Sequence, residues 1–254
     1  MFSSVRQKQI LHLLDEKREI YVAALAEQLQ VSQETIRRDL KLLERRGKLQ
    51  RVHGGAISAT EAALRPVVER EQVERQAKAI IAELAAPLIS EGAQIFLGGS
   101  STTLALARLL AADCPRATFV TNMIDIALVL GASGLHQVTL IGGELRPSAR
   151  TLSGAETLEG IGRRVYDLCF NGVSAIDPEL GFLGPTEWHV ATHRALRRQS
   201  KSTVYLADYS KFGKTDKFCV EALESADLII TDRRPTDEYL AAFEKAGVQA
   251  RWPE

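Results

Sequence analysis

The sequence predicts an α/β protein in two parts: an N-terminal winged helix-turn-helix, followed by a Rossmann-like, mostly parallel α/β domain. Three observations carry this reading. Short amphipathic helical patterns crowd the first 45 residues and lead into a Gly-Gly turn. From residue 95 onward, short apolar runs alternate with helical patterns, as in a parallel sheet covered on both faces. The third observation is a split of charge. The 254 residues carry 32 Lys or Arg against 32 Asp or Glu, net zero. Residues 1–58 hold eleven of those bases against seven acids, net +4, which leaves 21 against 25, net −4, in the rest. A basic module tethered to a mildly acidic one suits nucleic acid held at one end. The expected organisation is a DNA-binding module over 1–58, a linker over 59–74 and an α/β domain over 75–254.

Taken in order, Gln9–Leu14 has the pattern of a first helix and Val22–Leu29 that of a second. Ala24 and Ala26 in the second allow the close helix approach that a helix-turn-helix needs. After Gln30-Val31-Ser32, Ser32 is a good N-cap for a third helix. In that helix Ile36, Leu40 and Leu43 recur at helical spacing and define a buried stripe. Arg38 faces away from the stripe, with Lys41 beside it and Arg37 flanking. A guanidinium on such a face can pair with guanine edges in the major groove or with phosphate. The candidate contacts are Ser32, Gln33, Glu34, Thr35, Arg37, Arg38 and Lys41. Residues 47–57 then read as two short strands about Gly54-Gly55, a wing that adds Lys48, Arg51 and His53. Residues 58–71 have the look of a connector. A helix is expected from about Gln72 to Ile89, disturbed in its last turn by Pro87.

Beyond it the apolar runs are Ile95–Leu97, Thr118–Thr121, Val138–Ile141, Leu168–Phe170, Thr203–Leu206, Leu228–Thr231 and Val248–Ala250. Helical patterns occupy Thr103–Ala112, Ile124–Leu130, Thr157–Arg164, Trp188–Gln199 and Asp237–Ala246. Open parallel sheets bind ligands beyond the carboxyl ends of their strands, so the segments just after the runs are the candidates. Gly98-Gly99-Ser100-Ser101-Thr102-Thr103 joins the first run to a helix. Its glycines let backbone approach an anion, and the helix start offers unpaired amides. No Lys follows in the manner of a Walker loop, and from local sequence alone the segment is equally a turn with a helix cap. Asn122, Gly142, Gly143 and Glu144 follow the second and third runs. Asp208 and Lys211 follow the fifth; Lys211 is the cation best placed for a phosphate, and Asp208 is a cap or an orienting partner for it.

Ser32–Leu40 and Arg51–Ala56 resemble the N-terminal signature of the DeoR family of bacterial transcriptional regulators. The likeness continues through Ser101-Thr102-Thr103, Thr121-Asn122, Gly142-Gly143-Glu144, Leu152-Ser153-Gly154 and Asp208–Gly213, so it covers almost the whole chain. It implies a C-terminal domain similar to ribose-5-phosphate-type isomerases that senses a phosphorylated sugar or related metabolite, with the loops named above as its pocket. The chain departs from the family pattern in two places, the Gly98–Ser100 turn and the segment around His189. Gly98 stands where an acid is common, and Ser100 where a glycine is. His189 lies near a place where members often carry glutamate; Glu187 beside it is the alternative, and Trp188 has a ring that suits a sugar face. The resemblance implies an operator-binding repressor working as a homo-oligomer in the cytoplasm, at the nucleoid. The competing class is a sugar-phosphate isomerase with an appended DNA-binding module, whose general base would come from Glu144, Glu187 or His189.

Cys114, Cys169 and Cys219 are far apart, and the five histidines are scattered. Neither set has metal-ligand spacing, so buried thiols in a reducing compartment and no metal or cofactor are expected. Charged residues near the start and the lack of a bilayer-length apolar stretch lead to the expectation of no secretory signal and no membrane span.

Overall fold

In the computed structural model, which describes residues 3–17, 19–45, 48–52, 54–58 and 66–254, the N-terminal module begins with α1 (Ser3–Lys17), β1 (Glu19–Tyr21) and α2 (Val22–Gln28). A left-handed Gln30 (φ 52°) turns the chain into α3 (Gln33–Arg45). The Ser32 hydroxyl accepts from the Thr35 amide at 3.2 Å, satisfying a donor that the helix itself cannot. Ile36, Leu40 and Leu43 are at most 2% exposed and pack with Ile10, Leu14, Leu25 and Leu49. Strands β2 (Leu49–Val52) and β3 (Gly55–Ser58) form the wing, and β1 adds a third strand in the order β1-β3-β2, all antiparallel. A Cβ on Gly55 would lie 2.0 Å from the Ile20 carbonyl oxygen, so this strand pairing needs a glycine there. Beneath the module an acid is buried. Asp39 on α3 accepts hydrogen bonds from Arg6, from Gln7 at 3.0 Å and from Ser3 at 3.3 Å, all on α1.

The stretch read as a connector contains a helix, α4 (Val67–Gln72), with Pro66 at its N-terminus. Val67 is fully buried in the core of the second domain, and its amide donates to the Ser148 carbonyl at 2.7 Å. The single helix expected from Gln72 to Ile89 is broken. Glu74 adopts a left-handed conformation (φ 52°), and α5 (Arg75–Ala85) starts after it; Pro87 sits in a 3-10 turn at Ala86–Leu88.

The alternating series that follows is β4 (Gln94–Leu97), α6 (Ser101–Ala112), β5 (Thr118–Thr121), α7 (Ile124–Ser133) and β6 (Gln137–Leu140). After a hairpin of β7 (Glu144–Arg146) and β8 (Thr151–Ser153) come α8 (Ala155–Gly162) and β9 (Tyr166–Gly172). The chain ends through β10 (Ala175–Asp177), β11 (Gly181–Gly184), α9 (Glu187–Gln199), β12 (Ser200–Leu206), β13 (Phe218–Glu221), β14 (Leu228–Ile230), α10 (Asp237–Ala246) and β15 (Gln249–Arg251). Seven strands form one parallel sheet in the order β15-β14-β12-β9-β4-β5-β6. Its central strands alternate into two apolar layers. Ile95 and Leu97 face Ile81, Leu104 and Leu110; Phe96 faces Ile161, Cys169 and Leu196. Two smaller features were not expected from sequence: the β7–β8 hairpin and an antiparallel sheet of order β10-β11-β13. Their strands have three or four residues each, too few for an alternation to register. The expectation of buried thiols holds for Cys169 but not for Cys219, which is exposed.

From β4 the chain winds one way to β5 and β6, and from β9 the other way to β12 and β14. The topological switch point therefore lies between β4 and β9, and a crevice opens there beyond the strand ends.

Candidate functional site

On the N-terminal module, Gln33, Glu34, Arg37, Arg38 and Lys41 are exposed on one side of α3, opposite the buried stripe. Ser32 and Thr35 are occupied with capping, their hydroxyls 2.9 Å apart. Arg37 makes only loose helical contacts, to Gln33 at 3.4 Å and to Glu34 at 3.7 Å, which phosphate or a base edge can outcompete. Arg51 on β2 is tied back to α3: its backbone amide and its Nε donate to the two carboxylate oxygens of Glu44, at 2.9 and 2.8 Å. That clasp fixes the wing against the helix. His53 lies outside the described residues.

In the second domain a cavity of about 270 Å³ occupies the switch point. Eight of the sequence candidates line it: Gly98, Gly99, Ser100, Ser101, Thr102, Asn122, His189 and Lys211. The β4–α6 turn is built by a capping box. Ser100 Oγ accepts from the Thr103 amide at 3.1 Å, and Thr103 Oγ1 accepts from the Ser100 amide at 3.1 Å. Thr103 also donates to the Gly98 carbonyl, so its hydroxyl shapes the turn from behind and does not face the cavity. Asn122 is a staple: Oδ1 accepts from the Gly99 amide at 3.1 Å and Nδ2 donates to the Leu152 carbonyl at 3.0 Å. It thereby fastens the β7–β8 hairpin over the crevice.

Five other candidates stand away from the cavity lining. Gly142 accepts through its carbonyl from Thr157 Oγ1 at 2.7 Å, and Gly143 packs against Thr157 and Ser153. Glu144 points to solvent and pairs with Arg146 at 2.9 Å; Glu187 is exposed at the start of α9. The hairpin displaces the segment after β6 and presents Arg146, Thr151, Leu152 and Ser153 to the cavity instead. Asp208 is 1% exposed and caps the 3-10 turn Tyr209–Lys211, accepting from the Ser210 amide at 3.1 Å. Its other oxygen lies 3.9 Å from Lys211 Nζ. Burial pushes the Asp208 carboxyl up, but Lys211, the Ser210 bond, Lys78 and Lys214 together hold it below the usual carboxylate range.

Sequence reasoning missed Arg70, Lys78, Arg146, Asn171 and Lys214, all of which line the cavity. One signal was available. Lys78 sits on the same helical stripe as Ile81, Ala82 and Ala85, all buried, and a lysine within an apolar stripe is unusual. Its ammonium donates to the carbonyls of Arg70 (2.7 Å) and Val73. Burial, the strongest influence, lowers both Lys78 and Lys214 to about 8; Lys211 pushes each the same way, while Asp208 opposes. On the far wall Arg146 Nε donates to Ser153 Oγ at 2.7 Å, and its guanidinium lies 5.9 Å from the centre of the Trp188 ring. Thr186 caps α9 and sits 2.8 Å from His189 Nδ1. Burial, reinforced by Arg70, lowers His189 to about 4; it is a neutral hydrogen-bonding group at physiological pH. Among the described residues no group of His, Cys, Asp and Glu is arranged to hold a metal ion, and no helix is long and apolar enough to cross a membrane.

Residues 6–62 match the DeoR-like helix-turn-helix domain, and residues 73–233 match the DeoR C terminal sensor domain. The chain belongs to the DeoR family. Other DeoR-family proteins align with it end to end. It is 33% identical to the HTH-type transcriptional repressor GlcR of Bacillus subtilis, over 98% of this chain and 96% of that one. It is 31% identical to the HTH-type transcriptional regulator GlpR of Haloferax volcanii, over 98% and 97%, and 30% identical to the Glycerol-3-phosphate regulon repressor of Escherichia coli, over 92% and 93%. Among solved structures, ribose 5 phosphate isomerase A from Neisseria gonorrhoeae aligns at 18% identity over 53% of this chain and 52% of its own, with a TM-score of 0.39. That superposition is too loose to bear on function.

Proposed function

We propose that this DeoR-family protein is a transcriptional repressor that binds double-stranded operator DNA as a homo-oligomer, at the nucleoid, and is controlled by a phosphorylated sugar or related metabolite. The observation that carries the effector is the charge of the cavity. Arg70, Lys78, Arg146, Lys211 and Lys214 line it, and the described lining residues include no carboxylate. At its lysine end, three ammonium groups face the buried Asp208, with Glu74 also acting on Lys78 and Lys214, a net positive charge that suits a phosphate. The amides of the β4–α6 turn and the N-terminus of α6 add dipoles of the same sign. The names of the relatives, a glycerol-3-phosphate regulon repressor among them, support a metabolite of this class. An isomerase needs a base beside the substrate carbon. Two of the three candidate bases, Glu144 and Glu187, lie off the cavity.

The test of the repressor reading is binding to the promoter region beside its own gene, with Arg37→Ala and Arg38→Ala as probes. Each is expected to weaken binding by about 1–3 kcal/mol if it reads a base, relaxing specificity at one position. A phosphate contact instead weakens all sequences alike and lowers the salt slope by about 1. Unchanged affinity in both variants overturns the assignment of α3. The effector carries its own pH signature. A phosphate monoester gains its second charge near pH 6, whereas Lys78 and Lys214 lose their protons around 8. Effector affinity should therefore be greatest between these values and fall on either side. A flat profile from pH 6 to 9, measured by titrating operator occupancy with the metabolite, counts against the two lysines as phosphate ligands.

A further inference from the structure

At the carboxyl end of β9, opposite the β4–α6 turn, Asn171 is 1% exposed, and neither its Oδ1 nor its Nδ2 has a hydrogen-bond partner. Cys169, two residues back on the same strand face, is close enough to feel the amide, but a thiol is a weak partner. Leaving both ends of a buried amide unmade is costly, and a residue that bears this cost at a cavity wall is a candidate reader of the cavity's contents. Asn122, the other asparagine in the lining, has both amide ends engaged. The wall facing Asn171 is bare backbone. A Cβ placed on Gly98 would stand 2.7 Å from Asn171 Oδ1 and 3.1 Å from the Phe170 carbonyl oxygen. A side chain at position 98 and the present Asn171 are therefore mutually exclusive, and Gly98 gives the Asn171 amide its place at the cavity wall.

We propose that Asn171, set against the bare backbone of Gly98, is the specificity-determining group of the effector cavity and selects an uncharged hydroxyl or carbonyl against an ammonium. An amide offers one accepting and one donating end, which matches a hydroxyl or a hydroxyl–carbonyl pair. With no carboxylate in the described lining and five cations around it, an ammonium on the ligand meets net repulsion, since the nearby Asp208 and Asp216 already engage Lys211 and Ser174. The chemical class is thus a phosphate ester of a neutral polyhydroxy compound, with its phosphate at the lysines. This rests on the sensor reading above and adds the discrimination at the other end of the ligand.

The experiment follows thermal stabilisation of the full-length protein by inorganic phosphate, glycerol 3-phosphate, glucose 6-phosphate and glucosamine 6-phosphate, since native-state ligands raise the melting temperature. Wild type is expected to prefer a neutral polyol phosphate over both inorganic phosphate and glucosamine 6-phosphate. Asn171→Leu removes both polar ends at similar volume. It should weaken the preferred sugar phosphate by about tenfold or more while the inorganic phosphate midpoint moves far less, and the ligand-free melting temperature should not fall. Asn171→Asp, nearly isosteric, keeps the test open if the leucine variant folds poorly; it should shift preference toward glucosamine 6-phosphate. If wild type responds to the phosphates but Asn171→Leu titrates as wild type with every ester, or if wild type favours glucosamine 6-phosphate, the role of Asn171 is overturned and the sensor reading stands. If no phosphate compound stabilises wild type, both fall.

Discussion

A Lys211→Ala protein is expected to occupy its operator normally and to ignore its metabolite. Lys78 is buried, but its ammonium is already bonded to two backbone carbonyls. Among the described residues the one ion-pair partner of the Lys211 ammonium is the Asp208 carboxylate at 3.9 Å, so its donors remain available to an incoming anion. A hydrogen bond to a charged group contributes about 1.5–3 kcal/mol, which moves the effector midpoint by roughly 10–150-fold. The variant keeps α3 and its module intact, so operator binding without effector is the internal control. Titrating operator occupancy with the metabolite in both proteins settles it; equal midpoints remove Lys211 from the site.

The second large effect concerns stability. Asp39→Ala should unfold or nearly unfold the N-terminal module while leaving the sensor domain folded. Truncation removes the buried carboxylate to which Arg6, Gln7 and Ser3 all donate, a loss of about 3–5 kcal/mol for a broken buried ion pair. For a module of fewer than 60 residues that is most of its stability. Two separate thermal transitions are expected in the variant, with DNA binding lost and effector stabilisation retained. A single unshifted transition would show that Asp39 does not hold α1 to α3. The same pair gives a pH dependence. Burial pushes the Asp39 carboxyl up, but hydrogen bonds from Arg6 and Gln7 and the Arg6 charge outweigh it and leave it below the ordinary range. Its contribution is therefore complete above the unfolded value of about 3.9 and is lost as pH falls through the lower, folded one.

The large pattern was legible in the chain because two rules act locally. The Ile36, Leu40 and Leu43 stripe and the Ser32 cap need only neighbours in sequence, and all behave as their spacing requires. The seven apolar runs became the seven parallel strands, and the switch-point rule then led to Gly98–Thr102 and Lys211. What the rule could not supply was depth. Whether a residue after a strand faces the crevice or stands behind it depends on partners far along the chain. Thr103 bends back to Gly98, Asp208 turns in toward the lysines, and the hairpin swings Glu144 out and Arg146 in. Asn171 was hidden for a different reason. It ends an apolar run and looks like an ordinary strand terminus; only its missing partners distinguish it.

The contact between Lys78 and the end of α4 makes one ammonium answerable to two claims. The carbonyls of Arg70 and Val73 are orphan acceptors of a helix terminus, and the Lys78 charge stills them. The same charge lines the cavity. An anion that draws Lys78 toward itself does so by loosening the latch on α4, the first described helix after the DNA-binding module in the chain. Such a trade converts occupancy into slack, with no need for the sheet to bend. Hydrogen exchange at the amides of Val67–Gln72, with and without the metabolite, is where the slack would be seen.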